Sequence, residues 1–235
     1  MTALRIRTGG TESPTVLLLH GLGATADVWT GLPDEPGARA WIAPDLPGHG
    51  GSAALPDYTF AAVAEAVADL IDSRGTVIVG HSFGGVVALQ LAGRPGVRAV
   101  IGLGIKVSWS EEELAKAAAL AQRPAQVFPT RAEAERRHLR VAGLDGQAPE
   151  EAVAEVEGGW RTTFDPRAFA VGAPPMESLL ASAGVPVILA RGENDPMVSA
   201  AQIRALGAEP HDLPGLGHNA HVEDPAVVHT LLSRV

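Results

Sequence analysis

A serine hydroxyl attacks a carbonyl only when a positioned base takes its proton, and the base needs a carboxylate to fix its tautomer and stabilise the imidazolium. Candidates for all three stand in this chain. Ser82 is the centre of Gly80-His-Ser-Phe-Gly84, a G-x-S-x-G pattern. In a chain with 27 glycines that pattern alone reads better as a tight loop. Its flanks decide the matter. Thr76-Val-Ile-Val79 is an apolar, β-branched run suited to a strand buried on both faces. After Gly85 the spacing of Val86, Val87, Leu89 and Leu91 predicts a helix, with Gly93 as its C-terminal stop. A strand that becomes a helix across one residue forces that residue into a strained conformation. Its hydroxyl then stands at the tip of the turn, over the free N–H groups of the helix.

The partners of Ser82 should lie in loops at the carboxyl ends of strands. Asp195 sits in Arg191-Gly-Glu-Asn-Asp-Pro-Met197, after the apolar run Val185–Ala190, with Glu193 as a rival acid. His218 sits in Pro214-Gly-Leu-Gly-His-Asn219, after a short final strand, with His221 as a rival base. His218 is preferred because Gly215 and Gly217 give it a flexible lead-in. The order Ser82, Asp195, His218 is the one that accompanies a serine on a strand–helix turn. The oxyanion of a tetrahedral intermediate needs N–H donors, for which the Phe83 amide and the Leu22 amide are the candidates, with Gly23 second to Leu22. His20 and His49 read as structural. Trp29, Trp109, Phe128 and Trp160 are the bulky apolar candidates for a substrate pocket, though each could equally be core packing.

These residues need a sheet to hold them. Leu4–Thr8 alternates like an edge strand, Thr15–His20 reads as a central strand, and Trp41–Ala43 as a third. Thr59 caps a helix with Phe60, Val63, Val67, Leu70 and Ile71 on one face. The Thr76 strand and its helix follow, then a strand over Val97–Leu103. Alternating strands and helices predict an α/β fold, a mostly parallel sheet covered on both faces. From about residue 107 the rhythm changes. Ser110-Glu-Glu-Glu113 and Thr130-Arg-Ala-Glu133 are capping boxes, and a third helix is expected from Pro149 to Gly158-Gly159. The expected organisation is a core of residues 1–106 and 177–235 interrupted by an all-helical insertion at 107–176. Ser199 with Gln202, and Asp224 with Pro225, open the last helices.

Composition excludes other chemistry. The 235 residues contain no cysteine, so disulfides, thiolate catalysis and cysteine-ligated metals are ruled out. A net charge of −9 argues against nucleic acid, which requires a concentrated basic surface. Sixteen of the eighteen basic residues are arginine. The N-terminus has no apolar leader and no run approaches a membrane span, so a cytoplasmic protein is expected. No phosphate-binding glycine motif is present and His218-x-x-His221 is a poor zinc site, so neither a cofactor nor a metal is expected.

The chain resembles the α/β-hydrolases of the small, helical-capped kind. The resemblance rests on His20-Gly-Leu-Gly23, Asp45-Leu-Pro-Gly-His-Gly-Gly-Ser52, Gly80-His-Ser-Phe-Gly-Gly85, Gly192-Glu-Asn-Asp195, and Gly217-His218 with Glu223-Asp-Pro225. These motifs span almost the whole chain in family order. It implies a serine hydrolase acting on a small carboxylic ester, thioester or lactone, with residues 107–176 as the variable cap. Carbon–carbon hydrolysis or lyase chemistry on the same triad is one alternative. A binding protein that has kept the fold without turnover is another. The family usually opens with an antiparallel strand pair, and this chain has room for little more than one strand there, so a reduced sheet edge is expected. The oligomeric state is not predicted.

Overall fold

The computed structural model describes residues 2–29 and 39–235. In chain order, β1 (Ile6–Gly9), β2 (Glu12–Leu19) and β3 (Arg39–Pro44) precede α1 (Phe60–Val67), β4 (Thr76–His81), α2 (Phe83–Leu91) and β5 (Val97–Leu103). An insertion then brings α3 (Glu111–Ala121), α4 (Arg131–Ala142), β6 (Val153–Val156) and β7 (Gly159–Thr162). The core resumes with α5 (Met176–Ala181), β8 (Val187–Gly192), α6 (Ala200–Ala205), β9 (Pro210–Leu213), α7 (Ala220–Glu223) and α8 (Ala226–Leu232). The main sheet has seven strands in the order β1-β3-β2-β4-β5-β8-β9. All neighbours are parallel except β1, which runs antiparallel to β3 at the edge. This is an α/β-hydrolase fold with an insertion between β5 and α5, and a single strand forms its N-terminal edge.

Residues along the unbroken apolar strands point alternately to the two faces, so both must be covered. Leu17, Leu19, Ile78 and Val100 pack under α1 and α2 with Phe60, Val63, Val67, Val87 and Leu91. Val16, Leu18, Val77, Val79 and Ile101 face the other way, against Val227, Val228 and Leu231 of α8. Local signals place several helices where expected. Thr59 caps α1, while Ser110, Thr130 and Ser199 each form a complete capping box. Gly93 does not stop α2. The helix ends at Leu91 with Ala92 as its cap, and the left-handed residue of the connection is Gly96, at φ 92°. Among the described residues no helix is long and apolar enough to cross a membrane.

The insertion corrects one expectation. The third cap helix does not form: a single 3-10 turn at Glu150–Ala152 leads into a hairpin of β6 and β7, paired from Val153↔Thr162 to Val156↔Gly159. Val153 and Val156 favour extended backbone, and Glu157 and Gly158 (φ 84° at Gly158) make the hairpin turn, with Gly159 (φ 142°) opening β7 rather than stopping a helix. Phe128 adds an antiparallel bridge to Trp160, with the two backbone N–H groups donating at 2.7 and 2.8 Å. Phe128 and Trp160 flank a small cap cluster of Ala134, Ala152 and Val153, while Phe164 and Ala168 join the main core.

The Asp45–Ser52 segment proves to be a structural knot. Asp45 is fully buried and its carboxylate accepts the N–H groups of Ala26 (2.7 Å) and Gly51 (2.9 Å). Arg5 on the edge strand side pairs with it at 3.2 Å and also with Asp27 at 2.9 Å. Ser52 donates to the Asp45 carbonyl at 2.6 Å and accepts from the Arg5 N–H at 2.9 Å. Removing one partner of a buried, hydrogen-bonded charge leaves the others unsatisfied, so Asp45→Ala should cost about 3–5 kcal/mol of stability. Urea denaturation checks this, and a loss below about 1 kcal/mol would show that the knot is dispensable.

Candidate active site

Ser82 has φ 49° and ψ −112° and is the one non-glycine residue with positive φ among those described. Its strain is enforced from both sides. The Ser82 N–H donates to the Leu103 carbonyl at 2.8 Å, extending the β4–β5 ladder to the tip of the turn. A Cβ on Gly80 would collide with the Gly84 carbonyl, and one on Gly84 with the carbonyls of Leu19 and His20. Only glycines allow strand and helix to approach this closely. Phe83 is the first residue of α2, so its N–H has no intrahelical partner. A Cβ on Gly21 would lie 2.7 Å from His81 Nδ1 and 3.6 Å from Ser82 Cβ, so the loop that carries Leu22 is pressed against the serine. Leu22, Ser82 and Phe83 line one cavity of about 330 Å3.

The structure brings His218 and Asp195 together. The His218 Nδ1–H donates to both Asp195 oxygens, at 3.1 and 3.0 Å, and the Asp195 side chain is fully buried. The Met197 N–H holds the same carboxylate at 2.7 Å. Gly104, at φ 60°, gives them clearance, since a Cβ there would come within 3.2 Å of Asp195 and 3.3 Å of His218 Nδ1. Glu193 is engaged elsewhere, accepting from the Gly215 N–H at 2.9 Å. Among the described residues the His218 ring makes no hydrogen bond to the Ser82 hydroxyl. Such bonds commonly tighten only when substrate is bound.

One residue of this arrangement carries no signal in the sequence. His81, the variable residue of the G-x-S-x-G turn, is buried, and its Nε2–H donates to the His218 carbonyl at 3.0 Å. It ties the loop of the histidine to the turn of the serine, across 137 positions that no local pattern connects. His221 is not a partner of Ser82. It is buried between Trp29 and His81, with ring centroids 4.6 and 4.4 Å away, and among the described residues neither nitrogen has a partner. His20 and His49 are buried: His20 Nε2 accepts the Leu46 N–H at 2.8 Å and His49 Nδ1 donates to the Pro47 carbonyl at 3.1 Å.

Of the four aromatic candidates, only Trp109 lines the Ser82 cavity. Trp29 is in the core on the far face of the sheet with its ring against His221, and Phe128 and Trp160 pack within the cap, where Arg131 lies over the Trp160 ring. An aromatic near a motif in sequence is as readily turned into core as into a pocket. The remaining walls come from Phe60 and Val86 of the core and from Leu114, Phe169 and Val171 of the cap. A larger hollow of about 620 Å3, lined by Arg123, Arg161 and Arg167, shares no residue with this cavity. Among the described residues no three His, Cys, Asp or Glu are placed to hold a metal ion.

Burial holds the surrounding imidazoles neutral. Desolvation lowers His20 and His138 to about 4 and His49 and His221 to about 3, and it takes His81 well below its ordinary value. In the unfolded chain each takes up a proton near pH 6.5, so the unfolded state binds more protons than the folded one below that pH. Their contribution to stability is therefore present above pH 6.5 and lost as the pH falls toward 4. The unfolding free energy should drop between pH 6 and 5 by more than the ~1.4 kcal/mol per pH unit that one histidine can supply. Urea titrations at half-unit steps test this, and a flat profile over that window would mean that these rings accept protons in place. His221→Leu should reduce the slope.

The chain is similar to several known proteins. The chain is 28% identical over 245 residues to 2-succinyl-6-hydroxy-2,4-cyclohexadiene-1-carboxylate synthase of Klebsiella pneumoniae, an alignment spanning 97% of this chain and 95% of that protein. An uncharacterised Mycobacterium bovis protein is 43% identical over 95 residues, a match that spans 38% of this chain and only 27% of that protein's length. Among solved structures, E-2-(acetamidomethylene)succinate hydrolase superposes with a TM-score of 0.79 at 22% identity, over 99% of this chain and 94% of the other, a likeness of fold. A family model for the alpha/beta hydrolase family matches residues 16–231. With that match spanning nearly the whole chain, from the second strand to the last helix, this protein belongs to the alpha/beta hydrolase family.

Proposed function

We propose that this hydrolase cleaves small carboxylic esters, thioesters or lactones through an acyl-enzyme on Ser82. The observation that carries the reading is the bidentate contact of His218 with buried Asp195, in a molecule whose one strained non-glycine residue, among those described, is a serine at a cavity wall. His218 takes the hydroxyl proton through Nε2 while Asp195 stabilises the resulting imidazolium. Ser82 Oγ attacks the carbonyl, and the N–H groups of Phe83 and Leu22 receive the oxyanion. Collapse expels the alcohol or thiol, which takes its proton from His218. Water deprotonated by the same ring then releases the acid. Trp109 shapes the space available to the acyl or alcohol group. The full-length likeness to the Klebsiella synthase favours a second reading, carbon–carbon or lyase chemistry on the same three residues.

A fluorophosphonate should label Ser82 covalently, because its tetrahedral adduct uses the same attack geometry and the same donors. The adduct should map to the Ser82 peptide and vanish in Ser82→Ala. Turnover of a panel of short esters alongside labelling supports hydrolysis, whereas labelling without turnover supports the second reading. A folded protein that takes no label at Ser82 would sink both and leave a binding protein.

His218→Ala should lower kcat by roughly 10^4-fold, while His221→Leu stays within about tenfold of the parent. The reverse ranking would reassign the base. Trp109→Ala should change discrimination among esters of different chain length by about 1–3 kcal/mol, and Trp160→Ala should leave the profile alone. An unchanged profile for Trp109→Ala would remove it from the pocket.

A further inference from the structure

Among the described residues that line the cavity, one side chain is charged. Lys106 lines it together with Ser82, Phe83, Trp109 and Met197, and every other wall residue is apolar. General basicity does not explain a cation there. The chain carries 27 acidic residues against 18 basic ones, and Lys106 and Lys116 are its two lysines. Lys106 follows β5, two residues beyond Gly104, which packs against both His218 and Asp195. Its side chain is 19% exposed, with the stem packed against the core and the ammonium paired to a carboxylate in a bond that solvent reaches.

The anion present is Glu113, in the first turn of α3. Glu113 is already shared with the helix terminus, because its second oxygen accepts the Ser110 N–H at 2.9 Å and completes the capping box of α3. That carboxylate is about half exposed, so the pair is open to solvent on the glutamate side, where such pairs are weak. An ammonium has three N–H donors, and among the described residues Lys106 directs a hydrogen bond only to Glu113. Two donors remain for a second oxyanion arriving through the cavity. A compact point charge of this kind suits a carboxylate that need not be gripped in a fixed plane.

We propose that Lys106 receives a carboxylate carried by the substrate, so that the preferred class is the half-esters and half-thioesters of short dicarboxylic acids. The inference rests on the reading above for the chemistry at Ser82 and adds the substrate class. Glu113 holds the ammonium in place until the substrate carboxylate shares or replaces it.

The test compares monomethyl glutarate with methyl pentanoate, which have the same chain length and differ by a carboxylate in place of a methyl group. Binding to Ser82→Ala is measured by calorimetry, so the result does not depend on turnover. The monoanion should bind at least ~10-fold more tightly than the neutral ester, and Ser82→Ala with Lys106→Met should lose that preference. Glu113→Gln in the same background removes the competing anion yet keeps the capping box, since glutamine serves equally at that position. It should increase the preference for the monoanion several-fold. The proposal is overturned by equal binding of the two esters, or by Lys106→Met weakening both alike, as a strut tying α3 to the core would. It is also overturned by Glu113→Gln lowering the preference. If the binding preference holds but the wild-type protein hydrolyses neither ester, the hydrolase reading falls and the carboxylate site stands.

Discussion

The turn at Ser82 is the constraint on which the rest of the molecule depends. β4 must become α2 across one residue, and the helix must start so close to the sheet that Gly80, Gly84 and Gly85 have no room for a side chain. Backbone strain of this kind costs on the order of 1–3 kcal/mol. It persists because α2 is the most deeply buried helix of the fold, with eight of its nine residues buried. Burying them stabilises more than the turn costs, at about 1.5–3 kcal/mol for each large aliphatic side chain. The same approach presses α2 against the end of β2, which leads into the loop carrying Leu22, and Leu22 and Phe83 line one cavity. The candidate oxyanion donors are thus a by-product of the packing that strains the serine.

A second consequence lies in the imidazoles. Close packing at this end of the sheet disfavours a charge, so His20, His49, His81 and His221 are buried neutral, His20 with two hydrogen bonds and His221, among the described residues, with none. His218 differs. Its side chain keeps 21% exposure and has a carboxylate on Nδ1, so solvent and a counter-charge both reach the ring. In a cluster of similar rings, solvent access and a counter-charge separate a candidate base from structural histidines.

What is legible in the sequence follows from how local each signal is. The capping boxes at Ser110, Thr130 and Ser199 are closed within four residues, so pattern and structure coincide. The apolar runs of β2, β4 and β5 read as buried strands because nothing polar interrupts them. The hairpin of β6 and β7 escapes a local reading because Gly158-Gly159 suits a helix stop or a hairpin turn equally, and only the pairing of Val153–Val156 with Gly159–Thr162 shows which one forms. The tie from His81 to His218 joins segments 137 positions apart, and Lys106 and Ser82 come from different strand ends to line one cavity. No spacing rule reports such contacts. Trp29 follows the oxyanion loop, which suggests the pocket, yet its ring turns to the opposite face of the sheet.

The division between rigid and adjustable parts explains how chemistry and selectivity can be set separately. Ser82, Asp195 and His218 are held by sheet hydrogen bonds and by contacts among buried groups. The roof over them is different in kind. α3 has no fully buried residue and touches the cavity through Leu114, Ala117 and Ala118, with its first turn joined to the core by the Lys106–Glu113 pair. The hydrophobic cluster around Ala152 and Val153 stands apart from the main core. A change in α3 therefore alters little buried area and leaves the strained turn untouched. Selectivity residues belong on a weakly packed helix because substitutions there cost little stability, and a charge placed at its base acts on the cavity without entering the turn.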